Sequence, residues 1–132
     1  MGYYSSFEYA LHNARVDKEK AKEIERFFAI ENGNIYGLCG FENVKLEYDE
    51  EGKLQRFYIE DSYAKFYDDR LFAKKLSEAL VDGKVRLYFT GEDGERWGYE
   101  VYPGMVVELF TIWVNKYEYP EVKKFLETLR TR

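Results

Sequence analysis

The sequence holds one cysteine, one histidine, one glutamine and two prolines in 132 residues. A lone cysteine, Cys39, excludes an internal disulfide, so the fold does not depend on an oxidising compartment. No apolar run approaches the ~18 residues that a membrane helix needs. The longest, over 105–114, is interrupted by Glu108. No basic segment followed by an apolar stretch opens the chain, so no secretory signal is visible. The opening Met1-Gly2-Tyr3-Tyr4-Ser5-Ser6 matches the loose myristoylation pattern but runs directly into a strand. A cytoplasmic protein without a membrane partner is expected.

Charge of one sign is also short. There are 20 Lys and Arg against 25 Asp and Glu, a net charge of −5. An acidic balance repels the phosphate backbone whose neutralisation supplies most non-specific nucleic-acid affinity, so a nucleic-acid partner is disfavoured. Glu and Lys dominate while Gln55 stands alone, a composition of the thermophile kind. Two prolines run against that trend.

Apolar and aromatic residues are plentiful: 45% and 19%, with 13 Tyr and 10 Phe. That content excludes disorder despite 34% charged residues. A chain of this length buries roughly two-thirds of its unfolded surface, enough for one core without staples. A single domain over 1–132 follows.

Tyr3, Ser5, Phe7, Tyr9 and Leu11 alternate with Tyr4, Ser6, Glu8, Ala10 and His12, a strand pattern. Asp17 can cap a helix whose apolar face is Ala21, Ile24, Phe27 and Phe28, stopped by Asn32-Gly33-Asn34. A short strand over 35–38 precedes a glycine-punctuated bend at Gly37 and Gly40. Strands over 44–48 and 54–60 flank a polar turn, Asp49-Glu50-Glu51-Gly52-Lys53. Asp68 or Asp69 caps a second helix with Leu71, Phe72, Leu76, Ala79 and Leu80 on one face, ended by Gly83. Strands over 85–90, 96–102 and 105–114 follow. Pro103-Gly104 suits a type II turn, and the last strand, apolar on both faces, reads as central. Pro120 opens a third helix with the stripe Val122, Phe125, Leu126 and Leu129.

The expected class is α+β: a largely antiparallel sheet of about seven strands, order β-α-β-β-β-α-β-β-β-α, with three helices mostly on one face.

No motif ties a chemistry to particular residues. His12 could shuttle protons, but a lone histidine near a strand end is usually a solvated side chain. Cys39 lacks a Cys-x-x-Cys or family signature and reads as a small buried hydrophobe. The acidic turns at Asp49-Glu50-Glu51 and Glu92-Asp93 lack the alternating ligand spacing of a calcium loop, and charged hairpin tips need no further explanation. Gly91-Glu92-Asp93-Gly94-Glu95-Arg96 lacks the Gly-Lys-Ser/Thr ending of a phosphate loop. No metal, cofactor or catalytic residue is expected.

The remaining signal is strand phase. If Val85, Leu87, Phe89, Trp97, Tyr99 and Val101 face the helices, then Arg86, Tyr88, Arg96, Gly98, Glu100 and Tyr102 share the other side. Tyr58 with Arg56 joins them from the earlier hairpin, and Trp113 from the last strand. Tyr, Trp and Arg are enriched in binding hot spots. Tyr58, Arg86, Tyr88, Arg96, Tyr102 and Trp113 therefore form the candidate binding set of a non-enzymatic interaction module. Its expected partner is its own copy in a homodimer, with Arg86 or Arg96 reaching Glu60 or Glu100 across the seam. Two other classes stay open: a small enzyme using His12 or an acidic residue in a cleft, and single-stranded nucleic-acid binding by base stacking on the same aromatics.

Overall fold

The computed structural model describes residues 4–29, 40–111, 115 and 120–130. Cys39, the strand expected over 35–38 and Trp113 lie outside the described residues.

Among the described residues there are β1 (Ser5–Val16), α1 (Lys18–Phe27), β2 (Lys45–Tyr48), β3 (Leu54–Tyr58), β4 (Tyr63–Ala64), α2 (Asp69–Ala79), β5 (Leu80–Gly91), β6 (Arg96–Tyr102), β7 (Met105–Phe110) and α3 (Pro120–Arg130). The class is α+β and the sheet is antiparallel. The single seven-strand sheet is corrected: five strands form one sheet, ordered β4-β1-β5-β6-β7, and β2-β3 form a separate two-stranded one. The short β4 had no counterpart in the sequence reading, since two residues carry no period.

Alternation sets the two faces of the main sheet. Phe7 on β1, Val85, Leu87 and Phe89 on β5, and Tyr99 and Val101 on β6 are all buried. On this inner face lie α1, α2 and the β2–β3 hairpin. The N–H of Lys20 donates to the Asp17 carboxylate at 3.1 Å, capping α1, which buries Ala21 and Ile24. α2 buries Phe72, Ala73, Leu76 and Ala79. The Phe72 ring stacks on Phe41 at 4.0 Å between centroids and meets Phe28 and Phe57 edge-on or tilted. Full burial of each such ring is worth roughly 1.5–3 kcal/mol. This phenylalanine cluster joins helices, hairpin and sheet into one core.

α2 does not run on to Gly83. It ends at Ala79, and β5 begins at Leu80. Gly83 instead sits inside β5, opposite a bulge in β1 where the register shifts between His12 and Arg15. Asn13 takes φ 52° there and Gly83 φ 72°. The bulge lets β1 turn its last residues, Ala14 and Val16, back into the core.

Expected as a central strand, β7 lies at the edge of the sheet among the described strands. Its register with β6 is unbroken from Trp97↔Phe110 to Tyr102↔Met105. Gly104 takes φ 75°, as the second central position of a type II turn requires, and its N–H donates to the Ser77 carbonyl at 2.9 Å. The hairpin tip is thereby tied to α2.

Candidate binding face

Because β1, β5, β6 and β7 are in register, each outer side chain has a defined neighbour. One row runs Glu8, Tyr88, Gly98, Leu109, and the next Ala10, Arg86, Glu100, Val107. His12 is paired with Lys84 and Tyr102 with Met105. At the β4 end, Tyr4 and Tyr63 stack at 5.4 Å. Neither α1, α2 nor the β2–β3 hairpin covers this face.

Its centre is a charged network. Arg86 Nε donates to Glu100 Oε2 at 2.6 Å, Lys84 Nζ stands 3.7 Å from the same oxygen, and the Tyr102 hydroxyl donates to Glu100 Oε1. The Tyr102 hydrogen bond, followed by the one from Arg86, holds the Glu100 carboxyl below the usual carboxylate range. The same contact raises the Tyr102 phenol. Hydrogen bonds to Tyr88 and then Glu100 raise the Arg86 guanidinium further. Lys84 also lies over the Tyr102 ring at 5.8 Å. Arg86 therefore pairs with Glu100 of its own chain.

Of the candidate set, the structure brings together Arg86, Tyr88, Arg96 and Tyr102. Tyr58 is corrected: it lies on the two-stranded sheet, 54% exposed, beneath the Arg56 guanidinium at 4.9 Å. Arg56 is held in turn by Glu47 at 2.6 Å. His12 is exposed on the outer face.

Sequence reading missed two features. The first is the outer row of β7: Met105, Val107 and Leu109, of which Met105 is 52% and Val107 39% exposed. Their odd spacing was visible, but an apolar strand gives no sign of how many neighbours it has. The second is a clamp on the inner face. Trp97 Nε1 and the Tyr99 hydroxyl both donate to Asp69 Oδ2 at 2.8 Å, and Arg70 bridges from α2 to Glu108 on β7 at 2.8 Å. Burial, then the Asp69 hydrogen bond, pushes the Tyr99 phenol well above the ordinary tyrosine range. The clamp fixes Trp97 against Phe89, stacked at 5.6 Å.

A cavity of about 280 Å³ opens where Gly98 leaves a gap opposite Tyr88. Tyr88, Arg96, Gly98, Leu109 and Thr111 of the outer set line it together with Phe89, Trp97 and Phe110. Gly98 cannot be filled: a β-carbon there would stand 2.2 Å from the Leu87 carbonyl oxygen. A larger hollow of about 570 Å³ between α1 and the start of β2 reaches Ala29, where the described residues break off at 30–39. Among the described residues, no cluster of three or more His, Cys, Asp or Glu is arranged to hold a metal ion, and no helix is long and apolar enough to cross a membrane.

No protein-family model, no curated protein and no solved structure matches this chain.

Proposed function

We propose that the chain is a non-enzymatic interaction module in an intracellular setting, and that the outer face of its five-stranded sheet is the contact surface for a second copy. One observation carries the reading. The core elements all pack on the inner face, so among the described residues Met105 and Val107 of β7 stay exposed and Tyr88, Tyr102 and Leu109 are only half-buried. Aromatic side chains backed by a fixed Arg–Glu pair give a contact area whose rotamers are already ordered, which lowers the entropic cost of association. The shallow gap at Gly98 would receive a side chain from the partner.

Catalysis has less to stand on. His12 is exposed at a sheet position away from the cavity lining. A nucleic-acid role is disfavoured by the net charge of −5, and on this face Glu100 offsets one of the two positive charges of Arg86 and Lys84.

Sedimentation equilibrium tests the proposal. Wild type should dimerise, and the double variant Tyr88→Glu/Tyr102→Glu should be a folded monomer. A wild-type monomer at high micromolar concentration overturns it.

A further inference from the structure

We infer that β7 is a strand-pairing edge, and that its occupant is β7 of a second copy, continuing the sheet across a two-fold axis at Val107. This goes beyond contact through the outer face, because it uses the backbone edge rather than side-chain tips.

The backbone direction follows from one hydrogen bond. The Thr111 N–H donates to the Arg96 carbonyl at 3.2 Å, so Thr111 points its polar groups toward β6. Antiparallel ladders alternate, so Met105, Val107 and Leu109 also point toward β6. Val106, Glu108 and Phe110 must then direct their N–H and C=O groups outward, and no described strand pairs with that side.

Sheet edges are commonly blunted by shortness, Lys, Pro or a bulge. The opposite edge of this sheet is blunted: β4 has two residues. β7 has six, no Lys or Pro, and no register shift. Its one charge, Glu108, is held by Arg70. Phe110 is 76% exposed beside it. An apolar, unbulged edge whose one charge is paired invites a partner strand.

The sequence of β7 favours its own copy. Opposed residues must share a face, so Val107 can meet Val107 of the copy, Met105 its Leu109, and Val106 its Glu108. This register places apolar pairs on the outer face and keeps the two Glu108 carboxylates from lying opposite each other, where like charges would destabilise the pair. Val106 and Glu108, whose polar groups point outward, exchange both backbone bonds with their counterparts.

The test uses charge at the axis. Val107 faces itself, so Val107→Lys and Val107→Glu should each give folded monomers, and an equimolar mixture should recover the dimer. Val106→Pro removes an outward N–H without touching the β6 ladder and should weaken the dimer at least about tenfold, the equivalent of one or two backbone bonds. Hydrogen exchange at Val106, Glu108 and Phe110 should slow as wild-type concentration rises. A dimer that survives both Val107 variants overturns the edge contact. So does a wild-type monomer whose three amides are protected at all concentrations, which would mean that the chain's own residues 112–119 or α3 fill the edge. A dimer lost in the Val107 variants but kept in Tyr88→Glu/Tyr102→Glu supports the edge and removes the face contact, and the converse result does the opposite.

Discussion

Gly83 lies so close to Asn13 that a β-carbon on it would stand 2.2 Å from the Asn13 carbonyl oxygen. The positive φ of Gly83, 72°, adds strain for any other residue. Gly83→Ala should therefore cost roughly 1–3 kcal/mol from backbone strain alone, with the clash adding to it. Gly94→Ala is the control: φ is 80°, but nothing lies within 4 Å of the added carbon. Its loss should be about 1 kcal/mol. Urea unfolding of both variants checks the ranking, and equal losses would mean that β1 and β5 yield at the bulge.

The Asp69 clamp predicts a larger effect than its position in the first turn of α2 suggests. Removing its carboxylate orphans two half-buried donors, Trp97 Nε1 and the Tyr99 hydroxyl. Hydrogen bonds to charged groups contribute about 1.5–3 kcal/mol each. Asp69→Ala should destabilise by at least about 2 kcal/mol, with an altered Trp97 emission maximum. The Tyr99 phenol should titrate at lower pH than in wild type, while burial, the larger cause, keeps it raised.

Glu100 gives the sheet an acid-sensitive contact. Its carboxyl is depressed in the folded chain, first by Tyr102 and then by Arg86. A group with a depressed folded value adds stability that is present above its unfolded value, about 4.3, and is lost as pH falls through the folded value. Wild type should lose this contribution below about pH 4.3, and Glu100→Gln should show a flatter acid limb in the same window. Tyr102→Phe removes the largest cause, so its acid limb should move up toward the ordinary glutamate range. Thermal melts from pH 2 to 7 read all three, and parallel curves would refute the assignment.

Much of the fold was legible because local chemistry decided it. Asp17 caps α1, Pro103-Gly104 makes its turn, and the phase of β5 and β6 follows their alternation. Neighbours decided the rest. Gly83 resembles a helix stop in sequence, but Leu80, Val81 and Asp82 are already strand because β1 offers them a ladder. Tyr58 follows the same alternation as Tyr88, and sequence carries no mark that β2 and β3 pair with each other apart from the main sheet. β7 is apolar on both faces, as buried strands are, yet lies at an edge. Arg86 and Tyr102 were legible as members of the candidate face. The Glu100 contact joining them was not, because it depends on the β5–β6 register.

The two sheets meet through a backbone bond, from the Val16 N–H to the Gly52 carbonyl at 2.8 Å, and through one tyrosine, Tyr9. The Phe57 N–H donates to the Tyr9 hydroxyl at 3.2 Å, and that hydroxyl reaches the Phe57 carbonyl at 3.5 Å. The rings also touch, with centroids 4.8 Å apart. Tyr9→Phe keeps the ring contact and deletes the oxygen, leaving the Phe57 N–H without this acceptor in a half-buried position. An unsatisfied donor of this kind costs about 1–3 kcal/mol. The cost should fall on the β2–β3 hairpin, because β5 and β6 keep their ladders and their apolar cover. Native-state hydrogen exchange should then show faster exchange at Leu46 and Phe57 with little change at Leu87 and Tyr99. Equal acceleration at all four amides would mean that hairpin and main sheet open as one cooperative unit, and that Tyr9 is no more a local fastener than any other core side chain.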